Sequence, residues 1–333
     1  EADEAVRYTG IRDVDVVSAC SMLVRWSAIE HVGFWDERFF IYCDDADWCL
    51  RVKRAGARVV CALDAVVYHT PWTHKLTPIR GYYLHRNLLW MVRKHLRGRS
   101  LRRVSLTWCG RLLKQARSAA LNRRMTEAVL TLRSLTDAIR GTGGRLDAPS
   151  GRTQILDALD SCGASGGEAV VIVHDRAGFL NAENLRAAVT NRYIVSGRSG
   201  AQPRWRYLAE QGVPLVAHGG DAPETGDHRP EIVRYEPTRL GKLRAMRLFL
   251  RRRPDAVIVL DGACQFPLLL GDTTLHVTSD DMATCQTEPG GWRAVLRFGR
   301  SWVPAVLRSL WYGLTVTHDD RRDRDPSNEG RGS

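Results

Sequence analysis

Beyond residue 151 the chain alternates short, continuous apolar runs with longer stretches of helical spacing. The runs are AVVIV (169–173), RYIVS (192–196), PLVA (214–217), AVIVL (256–260) and TLHVT (274–278). They are too short for helices and lack the polar alternation of a half-exposed strand, so they read as strands buried on both faces. NAENLRAAV and TRLGKLRAMRLFLRR lie between them with helix-like patterns. Strands joined by helices predict a mostly parallel sheet covered on both sides. Residues 152–318 are thus expected to form an accessory α/β domain of unknown role, with VPAVLRSLWYGL as a last helix and the polar stretch 319–333 as a disordered tail. The Gly/Pro/Ser-rich GTGGRLDAPSG (141–151) reads as the linker before it.

Residues 1–95 mix signals. DVVSACSMLVR (15–25) is strand-like, WSAIEHVG is a short helix ending at Gly33, and CLRVKRAG is a helix stopped by Gly56. ARVVCA and AVVYH read as short strands around a turn at Leu63 and Asp64. Residues 80–140 read as helical, with Gly98 and Gly110 as weak points.

Charge is concentrated in one place. Lys75 to Arg145 holds seventeen Lys and Arg against Glu127 and Asp137, a local surplus of fifteen in a chain of net charge +12. Apolar residues at helical spacing run through the same segment, so 96–145 reads as basic amphipathic helices. They suit either an anionic membrane surface or ordinary packing against protein. No zinc-finger, basic-zipper or RNA-binding signature accompanies them, which argues against nucleic acid. No apolar run reaches the roughly 18 residues of a membrane-spanning helix. The eight cysteines are scattered without metal-type spacing and read as reduced thiols of a cytosolic protein.

The stretch FFIYCDDADWCLRVKRAGARVV (39–60) places Asp44, Asp45 and Asp47 directly behind an aromatic-apolar run. Capping a helix and complementing its dipole accounts for one or two of the three. Sugar transfer supplies a reason for the rest. An acceptor hydroxyl needs a carboxylate base within hydrogen-bond reach, and a nucleotide-diphosphate leaving group needs a hard divalent cation to neutralise it. An open α/β sheet can hold such a base at a strand end.

The ordered set SACSMLVR, GFWDERFF, the acidic pair before D-x-C-L-R, RAGARVV and a strand ending in His, followed by YYLHRNLLW (82–90), resembles the second half of the catalytic domain of glycosyltransferase family 2. Bacterial rhamnosyl- and galactofuranosyltransferases are the members it is most similar to. The resemblance covers about residues 13–95. It implies a fold class: α/β, the C-terminal half of a GT-A (Rossmann-like) domain, then the helical basic segment, then the second α/β domain. It implies Asp45 as the general base, Asp44 as its orienting partner and Asp47 as an acceptor contact or helix cap. His69 would contact the metal, a divalent cation (Mg or Mn), or the diphosphate. Arg86 and Asn87 would reach the diphosphate or cap a helix. Trp72 and Trp35 would stack on sugar faces, Trp35 equally well in the core; Asp36 and Glu37 would fix a turn.

The partners implied are a nucleotide-diphosphate sugar donor, a glycan or lipid-linked glycan acceptor and an anionic membrane surface, with the protein cytoplasmic and peripheral on the inner face of the plasma membrane. The family's metal-binding Asp-x-Asp should lie upstream of VVSACSMLVR, and no Asp-x-Asp here can replace it. The chain opens on Glu1, so the expectation is a fragment, inactive alone, whose nucleotide-binding half precedes it or comes from another chain. SACSMLVR leans towards rhamnosyl transfer, DDADW and HTPW towards galactofuranosyl transfer. The rival reading is a non-catalytic protein whose basic segment binds membrane or an anionic polymer. A third gives the distal region its own activity, with SGRSG (196–200), His174 and Asp175, or Asp280 and Asp281 as ligand groups; a plain loop for the first and cap or turn roles for the others are the readings the pattern favours.

Overall fold

The computed structural model describes residues 9–68, 77–146, 152–213, 230–250, 253–260, 271–278 and 281–316. In chain order the elements are β1 (Ile11–Asp13), α1 (Trp26–Val32), α2 (Asp44–Arg54), β2 (Val60–Ala62), α3 (Pro78–His95), α4 (Gly98–Leu121), α5 (Met125–Arg140), β3 (Thr153–Gln154), α6 (Ile155–Ser161) and β4 (Glu168–Val173). Then follow α7 (Arg176–Val195), β5 (Arg204–Glu210), β6 (Glu231–Tyr235), α8 (Arg239–Leu250), β7 (Ala256–Leu260), β8 (Thr273–Thr278), β9 (Asp281–Pro289) and α9 (Gly291–Thr315). The chain forms two compact units that do not follow chain order. The first draws on Glu1–Gln115, Leu130–Ala148 and Ser301–Ser333, the second on Ala116–Val129 and Pro149–Arg300.

The second unit carries a seven-stranded sheet in the order β3-β9-β8-β7-β4-β5-β6. β4 pairs in parallel with β5 and β7, β5 with β6, and β7 with β8; β9 and β3 run antiparallel at one edge. All six residues of β4 are buried, and its alternate side chains fill two separate cores. Val171 and Val173 join Tyr207, Ile258 and Leu275 beneath Phe179, Leu185 and Val189 of α7, while Val170 and Ile172 join Leu208, Val257 and Val259 with Ala245 of α8. A period of two along each strand thus serves helices on both faces.

AVVIV, AVIVL and TLHVT are strands, as the apolar runs predict. RYIVS is not: it closes α7, whose buried Phe179, Ala182, Leu185, Val189 and Tyr193 keep helical spacing into that run. SGRSG therefore follows a helix, not a strand; Ser196 caps α7 and Gly197 takes a left-handed φ of 70°. PLVA, Asp280 and the stretch 319–333 lie outside the described residues. Asp281 opens β9, accepting from the Ala283 N–H and the Thr284 hydroxyl.

In the first unit β1 and β2 form a two-stranded antiparallel ribbon. The segment 15–25 is not a strand; it holds one 3₁₀ turn at Ala19–Ser21 and leaves Leu23 fully exposed. AVVYH likewise has no strand among its described residues. The basic segment is helical, and Gly110 sits inside α4 without breaking it. The apolar faces of these helices turn inward: Leu101 and Leu112 of α4 and Leu132 and Leu135 of α5 are almost completely buried. Among the described residues no helix is long and apolar enough to cross a membrane.

Candidate active site

The acidic cluster opens α2, and the backbone leading into it is unusual. Phe40, Tyr42 and Cys43 all have positive φ (65°, 69° and 64°), and none is glycine. Left-handed backbone costs an L-residue about 1–2 kcal/mol each, so this loop persists only because its surroundings hold it.

Two adjacent residues of α3 do the holding. Asn87 Nδ2 reaches the carbonyls of Phe39 (2.8 Å), Ile41 (2.7 Å) and Tyr42 (3.0 Å). Arg86 donates Nη2 to the carbonyls of Arg38 and Phe39 (both 3.1 Å), Nη1 to the Gly144 carbonyl (2.9 Å) and the Tyr82 hydroxyl (3.4 Å), and Nε to Asn87 Oδ1 (2.9 Å). Those contacts use all five guanidinium donors, and Arg86 also lies 5.0–5.3 Å from the ring centres of Tyr82, Tyr83 and Trp90. Both residues are buried, Arg86 at 1% and Asn87 at 0% exposure. In this structure the polar atoms of both serve to clamp the loop.

The far side of the loop is closed by the start of the expected linker. Gly144 donates its N–H to the Arg38 carbonyl at 2.9 Å, and the Leu146 N–H donates to the Tyr83 hydroxyl at 2.6 Å. Gly143 approaches so closely that a Cβ there would sit 2.8 Å from the Trp90 ring and 3.0 Å from Arg38 Cβ. Residues 141–146 are a packed strap rather than a free connection.

The three aspartates have separate fates. Asp47 is fully buried and accepts from Arg51 Nε (3.1 Å), Lys94 Nζ (3.0 Å) and the His95 ring (2.8 Å). Although burial opposes its charge, His95, Lys94 and Arg51 together hold its carboxyl below the usual range. With both oxygens engaged, it ties α2 to the end of α3. Lys94 also reaches Asp36 at 2.9 Å, and Asp36 pairs with Arg38 and caps the turn at Glu37–Phe39. Trp35 stacks on Trp48 with ring centres 4.8 Å apart, which places it in packing.

Asp44 and Asp45 remain half-exposed. Burial, followed by the charges of Asp45 and Asp47, raises the Asp44 carboxyl. Asp45 accepts from the Ala46 N–H through Oδ1 (2.8 Å) and from the Ala19 N–H through Oδ2 (3.0 Å). That second bond joins the SACSMLVR segment to the acidic pair, two motifs 26 residues apart. Burial and the charges of Asp45, Asp44 and Asp47 push the Cys43 thiol up to about 12, away from the thiolate form.

A cavity of about 780 Å³ lies along α2, lined by Met22, Leu23, Val24, Trp48, Val52 and Val60 among others. None of the acidic residues lines it. His69 and Trp72 lie outside the described residues. Among those described, no group of three or more His, Cys, Asp or Glu side chains could hold a metal ion, and no step below passes through one.

No family profile matches the chain. A 57-residue stretch is 42% identical to Rhamnosyltransferase WbbL of Escherichia coli (strain K12), covering 16% of this chain and 22% of that protein. The chain thus spans about a fifth of the length of the curated relative it matches, and a glycosyltransferase-like region is what that likeness supports.

Proposed function

We propose that the first unit is the acceptor side of an inverting family 2 glycosyltransferase, in which Asp45 takes the proton from an acceptor hydroxyl as that oxygen attacks the anomeric carbon of a nucleotide-diphosphate sugar. The carbon–oxygen bond to the diphosphate breaks in the same displacement. The observation that carries this reading is the placement of Asp45: a half-exposed carboxylate fixed at a helix start by the Ala19 N–H, behind a strained loop clamped by Arg86 and Asn87. Strain maintained by buried clamps at the entrance to a carboxylate pair is the pattern expected where geometry serves chemistry. Asp44, held towards protonation beside it, would donate to or orient the same acceptor. The 42% identity to a rhamnosyltransferase supports a sugar as the group transferred, and a glycan or lipid-linked glycan is the acceptor we assign.

The donor-binding half belongs to the same proposal. The ribbon of two three-residue strands and the exposed Ile11, Leu23, Trp26 and Phe34 are an apolar face that a larger α/β sheet would cover. In the complete enzyme, supplied with nucleotide-diphosphate sugars and lipid-linked glycan acceptors, Asp45→Asn should lower the transfer rate by about 10²–10⁴ with donor binding and thermal stability intact. Near-normal turnover overturns the assignment.

A further inference from the structure

The part of α9 within the first unit, Ser301 onward, has two apolar faces. One is buried: Ala305, Ser309 and Tyr312 are at most 5% exposed. It packs on α4, where the Cys109 thiol and Ser309 hydroxyl hydrogen-bond and Leu106 leaves no room for a Cβ at Gly313. The other face is open. Val303, Leu307, Leu310, Trp311 and Leu314 recur at intervals of three and four residues, and each is 57–75% exposed. A surface helix of a globular protein normally turns charged side chains outward at those positions.

Among the described residues, the charge on α4 and on this part of α9 has one sign. α4 carries six basic residues and no acid, and exposes Arg102 and Arg103 beside a half-exposed Leu106. The part of α9 within the first unit adds Arg308 and no acid. A second copy of the chain would bring like charges together on that face, whereas an anionic surface would be drawn to it. Trp311 suits the boundary between headgroups and acyl chains, where an apolar ring with a polar N–H is favoured. Since α9 is not apolar enough to span, the geometry is that of a helix lying in the membrane plane.

We infer that the exposed face of α9, flanked by the basic residues of α4, docks this protein in-plane on an anionic lipid bilayer. The sequence pattern pointed to the basic segment 96–145 for this role; there Leu101 and Leu112 are buried, while Val104 and Leu106 are about 40% exposed beside the charge. The bilayer meets the leucines and Trp311 of α9, and α4 supplies the attraction to its headgroups. This goes beyond the transferase reading and is independent of Asp45.

The full chain is tested by co-sedimentation with vesicles of equal parts phosphatidylglycerol and phosphatidylcholine, and with phosphatidylcholine alone. Binding to the anionic vesicles is expected, weakening as salt is raised from about 0.1 M to 0.5 M, with little binding to the neutral ones. Leu307→Glu with Leu310→Glu should reduce binding about tenfold or more at unchanged circular dichroism, and Arg102→Glu with Arg103→Glu should reduce it on anionic vesicles. Asp45→Asn should bind as wild type does, which separates this outcome from failure of the transferase reading. Wild-type chain that ignores anionic vesicles, a Leu307/Leu310 variant that binds them undiminished, or a dimer that this variant dissolves would each overturn the inference.

Discussion

The loop that leads to Asp45 is held by polar bonds from Arg86 and Asn87 that reach 45–48 residues along the chain, whereas the sheet built on β4 is held by apolar side chains stacked on both faces. The loop before α2 costs energy in three left-handed residues and recovers it through Arg86, Asn87 and the strap at Gly144. In the sheet, Val170, Val171, Ile258 and Leu275 are completely buried in ordinary extended backbone. A hydrophobic core tolerates imprecision, because burial depends on area rather than angle. A carboxylate that must meet a hydroxyl at hydrogen-bond distance does not tolerate it, and directional bonds fix it.

That contrast can be attacked experimentally. Asp47→Ala would leave Lys94 and His95 facing a buried gap, and a loss of about 3–5 kcal/mol is expected in urea unfolding; a loss below about 1 kcal/mol would mean the polar network is ornamental. Next in size is Glu288, an exception on the sheet side. It is 3% exposed, accepts from the Thr126 N–H at 3.1 Å, and burial, aided by Glu127, pushes its carboxyl up to about 7. Its folded pKa lies above the unfolded one near 4.5. Its contribution to stability is therefore full below about pH 4.5 and gone above about pH 7, a fall of about 3 kcal/mol. Glu288→Gln should flatten unfolding free energy across that window, and a wild type already flat there would show the carboxyl ionises freely.

Asn87→Ala removes the donor that serves three carbonyls, with about 2 kcal/mol lost and a larger fractional loss of transfer than of folded protein. If stability and transfer fall in proportion, the clamp is merely structural. The smallest effect belongs to Cys43→Gly. Relief of the left-handed backbone, offset by the greater freedom of glycine when unfolded, should give a net gain of about 0.5 kcal/mol by thermal melting; a loss of about 1 kcal/mol or more would mean that no strain is stored there.

The sheet was legible where strands are continuous and apolar, as in β4, β7 and β8. It was misread where local pattern is ambiguous: RYIVS carries β-branched residues, yet it extends a helical face begun at Phe179. β5 escaped notice because Arg204 and Arg206 interrupt it, although Trp205 and Tyr207 alternate with them as a strand requires, and Arg206 is matched by Glu168 and Glu231 on the flanking strands. Asp44 and Asp45 stood out by composition. What holds them did not, because the partners of Arg86 and Asn87 are backbone carbonyls 45–58 residues away, and a carbonyl leaves no mark in a sequence. The same blindness made Asp47 look like its neighbours: its burial depends on Lys94 and His95, which a motif ending in Trp48 does not include.

Gly143 sets where this protein can be cut. A dissection that stops at residue 95, the natural stopping place for anyone following the glycosyltransferase-like motifs, discards the glycine that nests against Trp90 and the neighbouring carbonyl that occupies Arg86. Such a piece would keep every motif residue and lose the frame that aims them, so a cut must spare the chain through Leu146 as well as the part of α9 that packs on α4.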